Sequence, residues 1–159
     1  MILKADTGAS GHYVTNEDKK CCDDVTPAII PKNVLLPTSE VISSTHDAYL
    51  PIYSVSRNAT SATIFPDLTN SSLLSIGKLC DDNCVATFTK NKLQVVKNNR
   101  IILEGTRNFS DGLWDVPLYK QPRKPYLSAN AIINKKKSKE QLANYYHACC
   151  FSPCISTLT

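Results

Sequence analysis

Glycine is scarce in this chain: five in 159 residues, with none between Gly11 and Gly77. With only nine prolines, this argues against a low-complexity linker, and 42% hydrophobic and 20% charged residues give a globular composition. The length suits one domain with a real core, or one domain and a tail. No run of about 18 apolar residues occurs, so no membrane-spanning helix is expected. Nor is a basic, apolar, small-residue leader read at the start, so the chain is expected inside the cell, in the cytoplasm or the nucleus. The net charge is only +4, and much of it sits in Lys135, Lys136, Lys137 and Lys139. Such a run reads first as a solvated face, with weak contact to nucleic-acid phosphates as the alternative.

Cysteine is the exception to this sparseness. There are seven, an odd number, in three clusters: Cys21-Cys22, Cys80 with Cys84, and Cys149-Cys150 with Cys154. Without a secretory route they read as reduced thiols and not as a disulfide framework. For the same reason Asn58-Ala59-Thr60, Asn70-Ser71-Ser72 and Asn108-Phe109-Ser110, which fit the glycosylation pattern, carry little meaning. Cys80 and Cys84 have metal-like spacing but no second pair nearby, so buried structural thiols are the plainer expectation. No metal or cofactor is expected.

The most informative stretch is Ile2-Leu3-Lys4-Ala5-Asp6-Thr7-Gly8-Ala9-Ser10. An apolar run delivers Asp6 onto Thr7 and Gly8, and small residues follow. Asp6 supplies a carboxylate, the Thr7 hydroxyl can reach a partner loop, and Gly8 lets backbone amides approach the carboxylate. This is the pattern of an aspartic-protease half-site, and the expected catalytic residues are Asp6, Thr7 and Gly8. Two carboxylates in contact share one proton, so one acts as base on water while the other donates to the peptide carbonyl. Only one Asp-Thr-Gly is present, so catalysis requires a homodimer with one Asp6 from each subunit. His12 is near Asp6 in sequence, yet an aspartic dyad needs no imidazole, and it reads as a strand-surface residue. The strand feeding Asp6 is short, which suggests that the natural polypeptide begins upstream of Met1.

Downstream, short β segments alternate with turn formers, as a small closed barrel requires. His12-Tyr13-Val14 reads as an exit strand and residues 15–24 as a polar loop. Val34-Leu35-Leu36 stops at Pro37, and Pro37-Thr38-Ser39 occupies the place where a protease flap would carry glycine. Residues 40–46 and 49–55 read as a hairpin turning at His46-Asp47-Ala48, and Ala62–Phe65 as another strand. Leu73-Leu74-Ser75 reads as a buried strand, with Ser75 and Gly77 permitting close packing, and Ile76–Leu79 as the start of a short helix. Residues 85–118 form a β meander with turns at Asn91-Lys92 and Asn98-Asn99, both suited to φ > 0, and Trp114 as its core anchor. Pro122 to Pro125 read as a linker. Ser138 and Gln141 then form a capping box for a short C-terminal helix over 139–147.

Taken in order, Asp6-Thr7-Gly8-Ala9-Ser10, Leu73 to Cys80, Phe88, Ile102-Leu103-Glu104-Gly105, Gly112-Leu113-Trp114, Tyr146-His147 and Ser152-Pro153 resemble copia-type retrotransposon polyproteins. The resemblance implies a mainly β chain. It would hold a retropepsin-like aspartic protease domain at 1–80, a pre-integrase β region at 81–120, and a linker with a truncated integrase zinc-binding-like head at 121–159. It implies Asp6 as the catalytic Asp, Leu73-Leu74-Ser75 as the strand behind its loop, and the chain's own polyprotein as the polypeptide substrate. His147 matches the first zinc histidine, but the second falls near Ser152, which is not a usual zinc ligand. Cys149, Cys150 and Cys154 are the available substitutes, with a helix-end packing cluster as the alternative. The acidic triad of an integrase core is absent. A second function class is a catalytically dead, retroelement-derived module that binds nucleic acid or protein through the Lys135–Lys139 run.

Overall fold

A computed structural model describes residues 1–36 and 39–120, and Met1–Gln121 form one compact unit. The expectations for the linker, the C-terminal helix, the Lys135–Lys139 run, His147 and the last three cysteines lie outside the described residues. The described chain is mainly β. Its strands are β1 (Ile2–Asp6), β2 (His12–Thr15), β3 (Asp23–Pro27), β4 (Asn33–Leu35), β5 (Val41–Ser43), β6 (His46–Tyr49), β7 (Ser61–Phe65), β8 (Ser72–Ser75), β9 (Val85–Phe88), β10 (Lys92–Lys97), β11 (Arg100–Arg107) and β12 (Trp114–Pro117). Two short helices, α1 (Arg57–Thr60) and α2 (Ile76–Asp81), and a 3-10 turn at Asp18–Cys21 complete the described elements.

Ten strands form one sheet in the order β3-β6-β7-β2-β8-β1-β12-β11-β10-β9, while β4 and β5 pair as a separate hairpin. The expected mainly β character holds. No ladder joins the two ends of the sheet among the described residues, so barrel closure is not part of the observed pairing. The sheet is nevertheless curled. Six strand spacings separate β12 from β3, about 29 Å in a flat sheet, yet Lys120 donates to Cys22 O at 2.8 Å and pairs with Asp23 at 3.3 Å. The three residues after Pro117 span only about 10 Å. The reach of the Lys120 side chain and the curvature that strand twist accumulates close the remaining distance.

The curl encloses a single core. Leu3, Val14, Ile64, Leu74, Leu93, Val95 and Val116 are fully buried in one cluster, drawn from strands on both sides of β1. Alternation explains the selection: β1 buries Leu3 and Ala5, and β2 buries His12 and Val14 while Tyr13 and Thr15 remain half-buried. Each fully buried aliphatic side chain contributes about 1.5–3 kcal/mol of transfer free energy.

The residues on either side of position 80 share this sheet. β12 lies antiparallel to β1, with Leu3 opposite Val116, and Met1 and Leu118 extend the ladder through Leu118 N–H to Met1 O at 2.9 Å. Lys4 reinforces the junction by pairing with Asp111 and, at 2.6 Å, with Asp115. β11 packs against β12 with no space to spare at Gly105, where an added Cβ would lie 2.9 Å from Asp115 O.

Several local expectations are corrected. His46–Tyr49 is a strand paired on both sides, with β3 and β7, and not a hairpin turn. Two ladders outweigh the turn-like character of His46-Asp47-Ala48. The hairpin lies instead between β4 and β5, with Leu36 N–H donating to Glu40 O at 2.8 Å below its tip. Ser39 there takes a left-handed backbone, φ 68°, in the region expected to carry glycine. Residues 15–24 are not all loop, since they contain the 3-10 turn and the start of β3. Of the two meander turns, only Asn98 and Asn99 adopt positive φ, 49° and 59°. The β9–β10 turn is closed by Thr89, which bonds Lys92 through both backbone and hydroxyl.

Candidate active site

Asp6 stands at the end of β1, where the chain leaves the sheet. Gly8 and Ala9 then fold back so that their N–H groups donate to Asp6 Oδ1 at 2.7 and 3.1 Å. An added Cβ at Gly8 would sit 3.4 Å from that same oxygen, ordinary contact. Bonding to one carboxylate oxygen orients the group and leaves Oδ2 without a hydrogen-bond partner among the described residues. Thr7 is exposed at the loop, and its hydroxyl makes no hydrogen bond among the described residues. Ser10 Oγ lies 2.8 Å from the Tyr13 hydroxyl and closes the loop onto β2.

β8 supplies the floor. It runs parallel to β1, with Asp6 opposite Ser75, and bridges to β2 at Tyr13 and Leu73. It therefore lies between the strand that enters the Asp6 loop and the strand that leaves it, as expected for Leu73-Leu74-Ser75. Leu74 is fully buried, and Ser75 Oγ donates to Ala9 O at 2.6 Å while also capping α2 through Lys78 N–H. Gly77 has no close neighbour, its nearest atom being Ser75 Oγ at 3.8 Å from a built Cβ, so it does not serve close packing.

Two clefts of about 390 Å³ each meet at Asp6. The first is roofed by the β4–β5 hairpin, with Val34, Leu36 and Ile42 facing Tyr13, Phe65 and Leu73. Tyr13 and Phe65 pack edge to face, 5.3 Å between centroids. The second cleft opens on the Thr7 side and is lined by Phe88, Leu113 and Trp114. Trp114 is half-buried against the core, edge to face with Phe88 at 5.0 Å, so the expected core anchor also forms a cleft wall.

His12 is not on the strand surface. It is 1% exposed and bonded at both nitrogens, to Ala59 O at 2.7 Å and to Ser75 N at 2.9 Å. Burial pushes its pKa down to about 4, and the nearby Lys78 ammonium adds to the shift. The alternation in His12-Tyr13-Val14-Thr15, which puts His12 on the face of Val14, was the signal for this. Cys22 and Cys84 are buried thiols, and burial raises both pKa values, Cys22 to about 11. Cys80, in contrast, is exposed. Among the described residues no group of three or more His, Cys, Asp or Glu side chains is disposed to hold a metal ion. No described helix is long and apolar enough to cross a membrane.

No family model matches this chain, and no curated protein or solved structure matches it either.

Proposed function

We propose that this chain carries one half of an aspartic endopeptidase site, completed by a second copy, in a protein derived from a retroelement polyprotein. The observation that carries this reading is the Asp6 carboxylate, fixed by two backbone amides at the mouth of an apolar cleft beneath the β4–β5 hairpin. An extended peptide lying in that cleft would place apolar side chains against the half-buried Val34, Tyr13 and Leu73. In the dimer, one Asp6 takes a proton from water as the oxygen attacks the scissile carbonyl. The other, protonated, donates to the carbonyl oxygen, and collapse of the tetrahedral intermediate passes a proton to the leaving amine. The exposed Thr7 hydroxyl is free to reach the partner's loop. The proposed substrate is polypeptide, the chain's own polyprotein included.

The test is cleavage of peptides with apolar residues at the scissile bond, at mildly acidic pH, over a range of protein concentrations. Specific activity rising with concentration, together with inhibition by pepstatin, is the expected result. Activity independent of concentration, or insensitive to pepstatin, counts against a dyad shared between two copies.

A further inference from the structure

The dyad chemistry makes no use of His12, yet this side chain is buried and hydrogen-bonded at both ring nitrogens close to the Asp6 loop. Ser75 N–H can only donate, so His12 Nδ1 accepts, and the ring proton sits on Nε2, which donates to Ala59 O. The Ser75 hydroxyl donates to Ala9 O, and Ala9 N–H donates to Asp6 Oδ1. A continuous series of contacts thus runs from the imidazole, through a buried serine, to the carboxylate.

We infer that His12 is a positioning residue for Asp6: its neutral ring holds the Ser75 backbone, and through Ser75 and Ala9 the loop that orients the carboxylate. This rests on the half-site reading only in taking Asp6 as the reacting group; the hold on the loop stands by itself. A proton on Nδ1 would face the Ser75 N–H donor to donor, so the contact exists in one protonation state only. Other charges around the ring do not rescue the protonated form. Arg57 of α1 is engaged by Asp24 and stacked on Tyr49. Lys78 of α2 disfavours a second cation, and Asp81 of α2 lines the small cleft beside Lys78 and Ala59. β7 and β8 bring no ionisable side chain. With the buried ring titrating at about 4 and a freed one at about 6.5, any opening that releases His12 becomes about a hundredfold more favourable between pH 7 and pH 4.

Amide hydrogen exchange on the whole chain tests this, comparing wild type, His12→Asn and His12→Gln across that pH range. Asn sets an acceptor near the Nδ1 position and does not protonate; Gln reaches only toward Ala59. In wild type, protection at Ser75 and Ala9 should lie below that of Val95 and Leu103 in the meander and fall about a hundredfold from pH 7 to pH 4. His12→Asn should lack that step, and His12→Gln should show low protection throughout. Should His12→Asn fail to fold, Ser75→Ala serves: Ala9 protection should fall about tenfold with the His12 titration unmoved. Wild-type protection at Ser75 and Ala9 equal to that of Val95 and Leu103 at every pH overturns the inference. So does a wild-type step retained in His12→Asn, or unchanged Ala9 protection in Ser75→Ala. The predicted exchange pattern without peptidase activity at any pH supports the inference and refutes the half-site reading instead.

Discussion

Replacing Gly105 by alanine tests the claim that β12 is packed onto the sheet that carries Asp6. The added Cβ would lie 2.9 Å from Asp115 O and 3.0 Å from Val116 Cγ2. The first is backbone and the second a fully buried side chain, so neither has room to move. Relief requires β11 and β12 to separate, and β12 is also the antiparallel partner of β1. Alanine ordinarily stabilises a strand interior over glycine by about 0.5–1 kcal/mol, whereas overpacking a tight site costs about 1–3 kcal/mol. The clash should win, leaving Gly105→Ala destabilised by about 1–2 kcal/mol in equilibrium urea unfolding with an unchanged slope. Gly77→Ala is the matched control, with 3.8 Å of clearance in α2. Up to about 1 kcal/mol of stabilisation is expected there. A Gly105→Ala variant as stable as wild type, or more so, would refute the packing of β11 on β12.

His12 makes stability depend on pH. Its folded-state pKa lies below that of the free side chain, so the unfolded chain binds the proton more readily. Stability from the neutral ring is complete above about pH 6.5 and lost as pH falls toward 4. The loss is at most about 3 kcal/mol, read as a falling urea midpoint that His12→Asn flattens over that window. Asp82, held by Lys97 and the Ser56 N–H, is lowered to about 2 and so acts only in more acid solution. Leu74→Ala, at a fully buried site behind the Asp6 loop, should cost about 2–5 kcal/mol in the same unfolding experiment. Asn99→Gly, at φ 59° in the β10–β11 turn, should leave stability unchanged or raise it by up to about 1 kcal/mol, and a loss would contradict the turn geometry.

The parts legible in the sequence are those set by local chemistry. Asp6-Thr7-Gly8 forms a loop because glycine admits the amides. Leu73-Leu74-Ser75 is a strand that buries Leu74 and Ser75 because its residues are apolar or small, with Leu73 half-buried at the clefts. Asn98-Asn99 turns because asparagine tolerates left-handed backbone. The parts missed depend on distant partners. His46-Asp47-Ala48 reads as a turn until β3 and β7 pair with it. Ser39 occupies positive φ although nothing in its type announces it. The union of β12 with β1 joins residues more than 110 positions apart, beyond any local pattern. His12 is different, because the alternation of His12-Tyr13-Val14-Thr15 already places it on the buried face beside Val14.

The proposed function stands on Asp6 as a reacting carboxylate. Peptidase activity at mildly acidic pH, wild type beside Asp6→Asn, tests it most directly, because the amide is nearly isosteric and its oxygen can still accept from Gly8 and Ala9. Hydrolysis by wild type is expected, with its loss in Asp6→Asn while the fold stays intact by circular dichroism. Equal hydrolysis by both proteins, or none by a folded wild type across pH 4 to 7, would contradict it.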